Sequence, residues 1–258
     1  MGVKVNIEKT ISDFKEKGGK TKFLPSLKNV LTFVKNDQNI NKIEHLAYLL
    51  ANAKIESDYS LTRWESDYLC GEIGEPYKDK PCQKALNYYR STDNKKDYYT
   101  LGIDSKGLPY FGRGLIQLTG KANYKKYGDE IGKNLVANGN LALEPNNSYK
   151  IASAYMTIPR GKSNKSVFEW VDEGNFKNAR LLVKGSTSDW EEVKRVYDFW
   201  LPILKKESVT IDSKKETNLK KIVGVGVILL TIGITGTLIY LTLKKKNKLP
   251  NFLKKINL

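Results

Sequence analysis

Apolar residues recur at helical spacing in several separate stretches of the chain. Spacings of three and four residues predict a helix over 24–34, with Pro25 tolerated near its start, and a second, more buried helix over 40–56. The same periodicity predicts helical segments at 121–127, 149–156, 167–170, 176–182 and 190–204. The pattern therefore indicates a mainly helical body with little β-sheet.

Two intervening stretches lack this periodicity. Residues 66–109 contain several glycines and prolines among many polar residues, and irregular segments of this length in compact domains are often functional. Residues 110–120, YFGRGLIQLTG, mix glycines with an apolar run. We predict a turn and a short strand there, followed by the helix that begins at Lys121.

An uncharged apolar segment lies near the C-terminus. Residues 222–243 contain no charged residue, and at 1.5 Å per residue they can span a hydrocarbon core of about 30 Å. Lysines flank both ends, and the positive-inside bias favours a cytoplasmic location for the short tail. We predict a transmembrane helix, with a buried helix of a soluble protein as the alternative.

The two ends of the chain set the predicted domain organisation. The first twenty residues are rich in Lys, Glu and Asp and lack the apolar core of a signal peptide, so no signal peptide is expected. The expected parts are a lead segment at 1–22, a folded domain at 23–206, a polar linker at 207–221, the transmembrane helix at 222–243 and a basic tail at 244–258.

The chain is strongly basic, with a net charge of +16 and 40% hydrophobic residues. Ten lysines and three acidic residues follow Lys206, a surplus of seven, which leaves +9 for the first 206 residues. A basic body suits a polyanion such as nucleic acid, anionic lipid or an anionic cell wall. No zinc-finger or RNA-recognition signature accompanies the charge, so nucleic acid is not the expected partner.

Cysteine and histidine are too few for most metal sites. Cys70 and Cys82 lie in one irregular stretch, where a disulfide bridge and two reduced thiols both remain open. The one histidine, His45, opens an apolar helical run, so a packing or capping role is expected rather than a place in a catalytic triad. We expect no metal site.

Glu56 is the most distinctive polar residue of the pattern. It ends the predicted apolar helix 40–56 and should lie at the rim of the core, where a carboxyl loses hydration and the protonated form of a general acid is favoured. Glu65, nine residues on, could face it across a cleft, at the roughly 6.5–9.5 Å that leaves room for a water. On the pattern alone, two surface charges are the more common explanation of such a pair.

Two longer motifs in the chain are AYLLANAKIESDYSLTRWE and YFGRGLIQLTGKANYKKYG. Both resemble glycoside hydrolase family 19, which contains chitinases and phage endolysins. In that family a helix ends in a catalytic Glu followed by Ser or Thr, and a Tyr-x-Gly-Arg-Gly-x-Ile-Gln-Leu-Ser/Thr segment and an Asn-Tyr pair come later. FLPSLKNVL upstream and YDFWLPIL downstream extend the resemblance to the endolysin branch, over about residues 21–206. It implies an α-rich α+β, lysozyme-like fold of two lobes with a cleft between them.

The resemblance also implies catalytic roles. Glu56 would be the general acid that protonates the glycosidic oxygen, and Glu65 stands where the endolysin branch has its second carboxylate, the general base. Thr119 matches the hydroxyl that helps to hold the attacking water.

Four further residues are implied to contact substrate or support the site. Gln117 and Asn123 match sugar-contacting amides. Arg113 is expected to support the site by pairing with a carboxylate. Tyr110 is expected to shape the cleft, although a core aromatic is an equally open interpretation.

The chain departs from the family pattern at two places. Ile55 stands where the family usually has His before the catalytic Glu, and Lys184-Gly185-Ser186 stands where it often has Asn-Gly-Gly. The first bears on how Glu56 is held and the second on a substrate contact. Neither removes an acid or a base, so an active enzyme is expected.

The expected reaction is hydrolysis of a β-1,4 bond with inversion, without metal or organic cofactor, because two carboxylates and a water suffice. Peptidoglycan is favoured over chitin because the wider resemblance is to the phage branch and a basic body suits an anionic wall. With the predicted membrane helix, this indicates a bacteriophage enzyme held in the host membrane or in an internal membrane of the virion. The alternatives are a lytic transglycosylase, a chitinase and an inactive membrane-anchored structural or wall-binding protein.

Overall fold

The structure, a computed structural model, describes residues 2–65 and 102–206. The α-helices within these ranges are α1 (Ile7–Glu16), α2 (Leu24–Val34), α3 (Ile43–Ser57), α4 (Lys121–Ile131), α5 (Pro145–Thr157), α6 (Val167–Asp172), α7 (Phe176–Lys184) and α8 (190–206). Short 3-10 helices lie at Thr21–Phe23 and Gly139–Leu143. The prediction of a mainly helical body is confirmed.

Residues 110–120, called here the glycine-rich loop, do not form the predicted strand. Arg113 makes isolated antiparallel bridges with Trp64 and with Leu118. The second bridge lies within the loop itself, so the apolar run folds back as a tight turn. Gly114, with φ +76°, allows this reversal.

Helix α3 is the central helix of the core. Nine consecutive residues, His45–Ala53, are buried, as expected for a helix that is covered on all sides. The helix ends at Asp58, which adopts a left-handed conformation with φ +53°. The hydroxyl of Ser57 lies 3.0 Å from the Ala53 carbonyl and 2.9 Å from that of Leu115. The end of α3, which carries Glu56, is thereby attached to the glycine-rich loop.

Helix α1 lies inside the predicted lead segment 1–22, which is therefore part of the folded unit. Asn6 caps the helix through the backbone N–H of Lys9, at 3.2 Å. Phe14 is buried and its ring stacks on Trp200 of α8, with centroids 5.1 Å apart. The apolar face is spaced at helical intervals among many charged residues, which obscure it in the sequence. The compact unit that includes α1 covers Met1–Ser208.

His45 has the predicted packing role. Its ring stacks on Phe168 with centroids 4.2 Å apart, and Nε2 lies 2.9 Å from Oδ1 of Asp172. Burial lowers the pKa of His45, and the hydrogen bond with Asp172 acts in the opposite direction. The imidazole joins α3 to α6 and does not line the cleft described below.

Within the two described ranges, no helix has the length and apolar character needed to cross a membrane. The predicted membrane helix 222–243, with the linker before it and the basic tail after it, lies outside those ranges. Cys70, Cys82 and most of the irregular stretch 66–109 also lie outside them.

Candidate active site

The glycine-rich loop is held beside the segment that follows α3. The backbone N–H of Glu65 donates to the carbonyl of Gly112 at 2.8 Å, and that of Gly114 donates to the carbonyl of Arg63 at 2.6 Å. A side chain at position 114 would place Cβ 2.6 Å from the Ser148 hydroxyl oxygen. Glycine is therefore required at position 114 both for its backbone conformation and for close packing on α5.

Glu65 is held by a backbone donor of this loop. The N–H of Gly112 donates to Oε2 of Glu65 at 3.0 Å. A Cβ at position 112 would lie 2.8 Å from Oε1 of Gln117 and 3.4 Å from Oε2 of Glu65. The absence of a side chain at 112 thus lets the backbone approach the carboxylate, and the Glu65 carboxylate gains a fixed position.

Glu56 pairs with a buried arginine. Its Oε1 lies 2.6 Å from Nη1 of Arg180; the side chain of Arg180 is 1% exposed and that of Glu56 is 19% exposed. Arg180 also makes two hydrogen bonds to Asp189, of 2.8 and 2.7 Å, and one of 2.9 Å to Oδ1 of Asn52. The guanidinium is therefore anchored by groups other than Glu56.

Arg180 and Asp189 were not identified from the sequence, although one signal was present. Arg180 follows Phe176 by four residues and precedes Val183 by three, so it lies on the apolar face of α7. A charged residue on a buried face requires a partner of opposite charge. The sequence does not identify that partner, because Asp189 lies beyond the end of the helix.

The charges of Arg180 and Asp189 are strongly stabilised. Hydrogen bonds from Arg180, with a further one from Lys184, hold the pKa of the Asp189 carboxyl well below its usual range, although burial opposes them. Burial acts to lower the pKa of Arg180, but the hydrogen bond to Asp189 and the charge of Glu56 outweigh it and raise that pKa. Arg180 is a permanent cation beside Glu56.

Glu56 and Glu65 line one cleft with a volume of about 670 Å³. Three of the other predicted residues, Gln117, Thr119 and Asn123, line the same cleft. The opposite elements contribute residues that the sequence did not single out as cleft residues, namely Tyr155, Arg160, Leu181, Leu182 and Val183. The structure therefore brings together five of the seven predicted site residues.

The polar side chains of the loop are oriented by backbone groups. Nε2 of Gln117 donates to the carbonyls of Arg63 and Gly114, at 3.1 and 2.9 Å, so its amide oxygen is the atom left for a ligand. The Thr119 hydroxyl donates to the Gln117 carbonyl at 2.9 Å, which leaves its lone pairs to accept a hydrogen bond from water. Asn123 donates to the Thr119 carbonyl at 2.8 Å.

Tyr110 and Arg113 do not line the cleft. Tyr110 is a buried core aromatic whose hydroxyl donates to the Val136 carbonyl at 2.7 Å. Arg113 is also buried, and it donates to Oδ1 of Asn140 at 3.0 Å and to the Tyr124 hydroxyl at 2.8 Å. The prediction that Arg113 pairs with a carboxylate is wrong for the described residues. Neutral oxygens of the surrounding loops accept its hydrogen bonds instead. Both residues support the glycine-rich loop from inside.

Both departures from the family pattern lie near the cleft. Ile55, beside Glu56, is partly buried and packs on the core. Lys184 and Gly185 line the cleft, and Nζ of Lys184 lies 2.7 Å from Oδ2 of Asp189 with 41% of the side chain exposed. Lys184 therefore places a cation at the rim.

Glu65→Gln is expected to reduce turnover about 10²–10⁴-fold, since an amide cannot accept the proton that a general base removes from water. Initial rates on solubilised cell-wall glycan would measure the loss. Asp67→Asn, two residues further along the chain, is the control and should retain full activity. A normal rate for Glu65→Gln together with an inactive Asp67→Asn would show that the base is Asp67.

A protein-family model matches part of the chain. Residues 70–178 match the family model of glycoside hydrolase family 19, described as chitinase class I. The match begins after Glu56 and Glu65, so the roles of these two residues are inferred from the geometry and from the motifs around them. Within the described residues, no group of three or more His, Cys, Asp and Glu side chains is placed to hold a metal ion.

Solved structures share the fold. Chitinase C from Streptomyces griseus is 19% identical and superposes with a TM-score of 0.52, over 79% of this chain and 94% of that chain. A mutant of chitinase C gives a TM-score of 0.50 with the same identity and coverage. No curated protein sequence matches the chain. Over residues 70–178 the chain is similar to the glycosidases of glycoside hydrolase family 19, and the structure places the two carboxylates, Glu56 and Glu65, in one cleft.

Proposed function

We propose that the protein hydrolyses β-1,4 bonds of peptidoglycan with inversion at the anomeric carbon. The observation that carries this proposal is the shared cleft of Glu56 and Glu65, one held by a buried cation and the other by a backbone N–H. Two carboxyl groups that line one cleft can supply the acid and the base that glycoside hydrolysis needs.

Each side chain then has a defined part in the reaction. Glu56 gives its proton to the glycosidic oxygen as the bond to the anomeric carbon breaks. Glu65 takes a proton from the attacking water, whose second proton is positioned by the Thr119 hydroxyl. The water oxygen bonds to the anomeric carbon on the face opposite the leaving group, which inverts the centre. Solvent returns the proton from Glu65 to Glu56.

Arg180 keeps Glu56 in place through the cycle. Because Asp189 and Asn52 hold the guanidinium, Arg180 keeps its position whether Glu56 carries a proton or not. A fixed charge of this kind needs no reorganisation during the reaction.

A lysine at the rim of the cleft supports peptidoglycan over chitin. Chitin is neutral, whereas the peptides of peptidoglycan carry carboxylates. Arg160 donates to the backbone carbonyls of Tyr155, Ile158 and Leu182, so much of its capacity to donate hydrogen bonds to a substrate is already used. Lys184 has three N–H donors and one aspartate partner, and it can contact a substrate carboxylate at the rim.

Lys184→Asn is expected to raise KM for peptidoglycan fragments about 3–10-fold, the size of one exposed charged contact, and to change KM for neutral chitin oligosaccharides less. Steady-state kinetics on both substrates would measure the difference. Lys194→Asn is the matched control, since Lys194 also pairs with an aspartate, at 2.6 Å, but on α8 and away from the cleft. An equal change on both substrates would contradict the specificity role.

Digestion of purified peptidoglycan by the wild-type protein tests the proposed reaction. Mass spectrometry should show fragments with hydrolysed reducing ends. Anhydro-muramic ends would identify a lytic transglycosylase, and cleavage of chitin alone would identify a chitinase. No product from either polymer would indicate a binding protein that has lost turnover.

We also propose that residues 222–243 anchor the enzyme in a membrane, either the host cell membrane or an internal membrane of a virion. The supporting observation is the length of this uncharged run. The full chain should resist extraction by salt and alkali and require detergent, and truncation after Ser208, the end of the compact unit, should release an active soluble enzyme. Solubility of the full chain without detergent would refute the anchor, and absence from purified virions would leave the host membrane as its location.

A further inference from the structure

A second groove, with a volume of about 630 Å³, shares no lining residue with the catalytic cleft. Its floor is one face of α5, where Asn146, Tyr149, Ser153 and Thr157 follow at spacings of three and four residues and Lys150 lies next to Tyr149. This face extends roughly 17 Å along the helix, at 1.5 Å per residue. The walls come from the C-terminal ends of α2 and α4.

The groove presents neutral hydrogen-bonding groups beside an aromatic surface. Asn36, Asn39 and Asn146 are exposed, and each amide offers both donors and an acceptor, as sugar hydroxyls do. Phe33 is half-buried and stacks on the buried ring of Tyr149, with centroids 5.4 Å apart. Polar groups that converge beside an aromatic wall are the composition of a ligand site.

The charge of the groove distinguishes it from the rest of the body. Its ionisable lining residues are Asp37, Glu130 and Lys150, and Tyr149 donates to Asp37 at 2.9 Å. Helices α2 and α4 both end at its edge, and helix C-termini carry partial negative charge. In a body of net charge +9, this groove is poorly suited to a polyanion and is suited to an uncharged polyhydroxyl chain.

We propose that this groove is a second glycan-binding site, which takes an uncharged segment of an N-acetylated hexosamine polymer. A chain bound there holds the enzyme on an insoluble polymer while the cleft acts on another part of it. Such attachment raises the effective concentration of substrate without altering the catalytic groups. The proposal is independent of whether the cleft cleaves peptidoglycan or chitin.

The double variant Asn36→Ala/Asn146→Ala tests this site in the full-length protein. Loss of two hydrogen bonds is expected to weaken binding to insoluble chitin and to peptidoglycan about 10-fold. The value of kcat/KM on a short soluble oligomer of N-acetylglucosamine should stay unchanged, because neither residue lines the cleft. Asn29→Ala is the matched control, an exposed asparagine on α2 outside the groove.

Wild-type binding of both insoluble polymers by the double variant would overturn the proposal, as would an equal loss with Asn29→Ala. A loss confined to an anionic probe such as dextran sulfate would overturn the assigned ligand class. Binding is measured without turnover, so a wild-type protein that binds but does not cleave peptidoglycan would refute the proposed function and leave the groove intact. Thermal melting of each variant would verify that the fold is retained.

Discussion

Glu56→Gln should abolish hydrolysis, with a loss of at least about 10²–10⁴-fold, while the fold is retained. Gln has nearly the same shape and keeps an oxygen that can accept from Arg180, but it has no proton to give to the leaving glycosidic oxygen. Because the side chain is only partly buried and its cation stays paired with Asp189, the melting temperature should change little. Release of reducing ends from solubilised peptidoglycan measures the loss.

Glu191→Gln is the matched control for this change, since Glu191 is an exposed glutamate on α8 outside the cleft. It should retain the wild-type rate. If Glu56→Gln keeps more than about a tenth of the wild-type activity, Glu56 is not the general acid, and the position of Arg180 beside it has a structural purpose alone.

Arg180→Met should have the largest effect on stability. It leaves the carboxylates of Glu56 and Asp189 without their shared buried cation, and breaking a buried pair in this way costs roughly 3–5 kcal/mol. For a domain of this size, that corresponds to a fall of about 6–20 °C in Tm. Turnover should also fall strongly, because Glu56 loses the group that positions it. Melting curves and initial rates would be measured on the same preparations, with the exposed Arg195→Met as control.

A second substitution separates the two roles of Arg180. Adding Asp189→Asn to Arg180→Met removes one of the two carboxylates that lost the buried cation, and Asp189 otherwise keeps only Lys184 at the rim, so part of the stability should return. The rate should stay low, since Glu56 remains without its cation. Recovery of both quantities together would mean that Arg180 acts on activity only through the fold, and a melting temperature for Arg180→Met within about 2 °C of the wild type would contradict the buried-pair argument.

These contacts form a continuous series from the rim of the cleft to the acid. Lys184 contacts Asp189 at 2.7 Å, Asp189 contacts Arg180 at 2.7 Å, and Arg180 contacts Glu56 at 2.6 Å. Acidic and basic side chains alternate along this series. A substrate carboxylate that draws Lys184 away from Asp189 would leave Arg180 in place, because its two bonds to Asp189 do not depend on the lysine.

The sequence by itself determined the helices and the loop that carries the polar groups. The apolar periodicity of 24–34 and 40–56 predicted α2 and α3 closely, because the buried face of a helix requires apolar residues at spacings of three and four. The apolar run that ends at Glu56 singled out that residue, and the resemblance of residues 110–120 to a family motif nominated Gln117 and Thr119; all three line the cleft. These are local properties, and local properties can be derived without coordinates.

Only the tertiary structure decided which groups meet. Asp189 lies 133 positions after Glu56, and Arg180 on α7 contacts both carboxylates. Arg113, predicted to pair with a carboxylate, is instead bound by the neutral oxygens of Asn140 and Tyr124, since the loops that supply them fold around it. Helix α1 was not predicted, because three apolar positions among charged residues are weak evidence for a helix. The surface that buries Phe14 is Trp200, which the local sequence does not reveal. Pairing across long sequence separations depends on packing in three dimensions. A pattern along the chain can identify a residue that needs a partner, but it does not identify the partner.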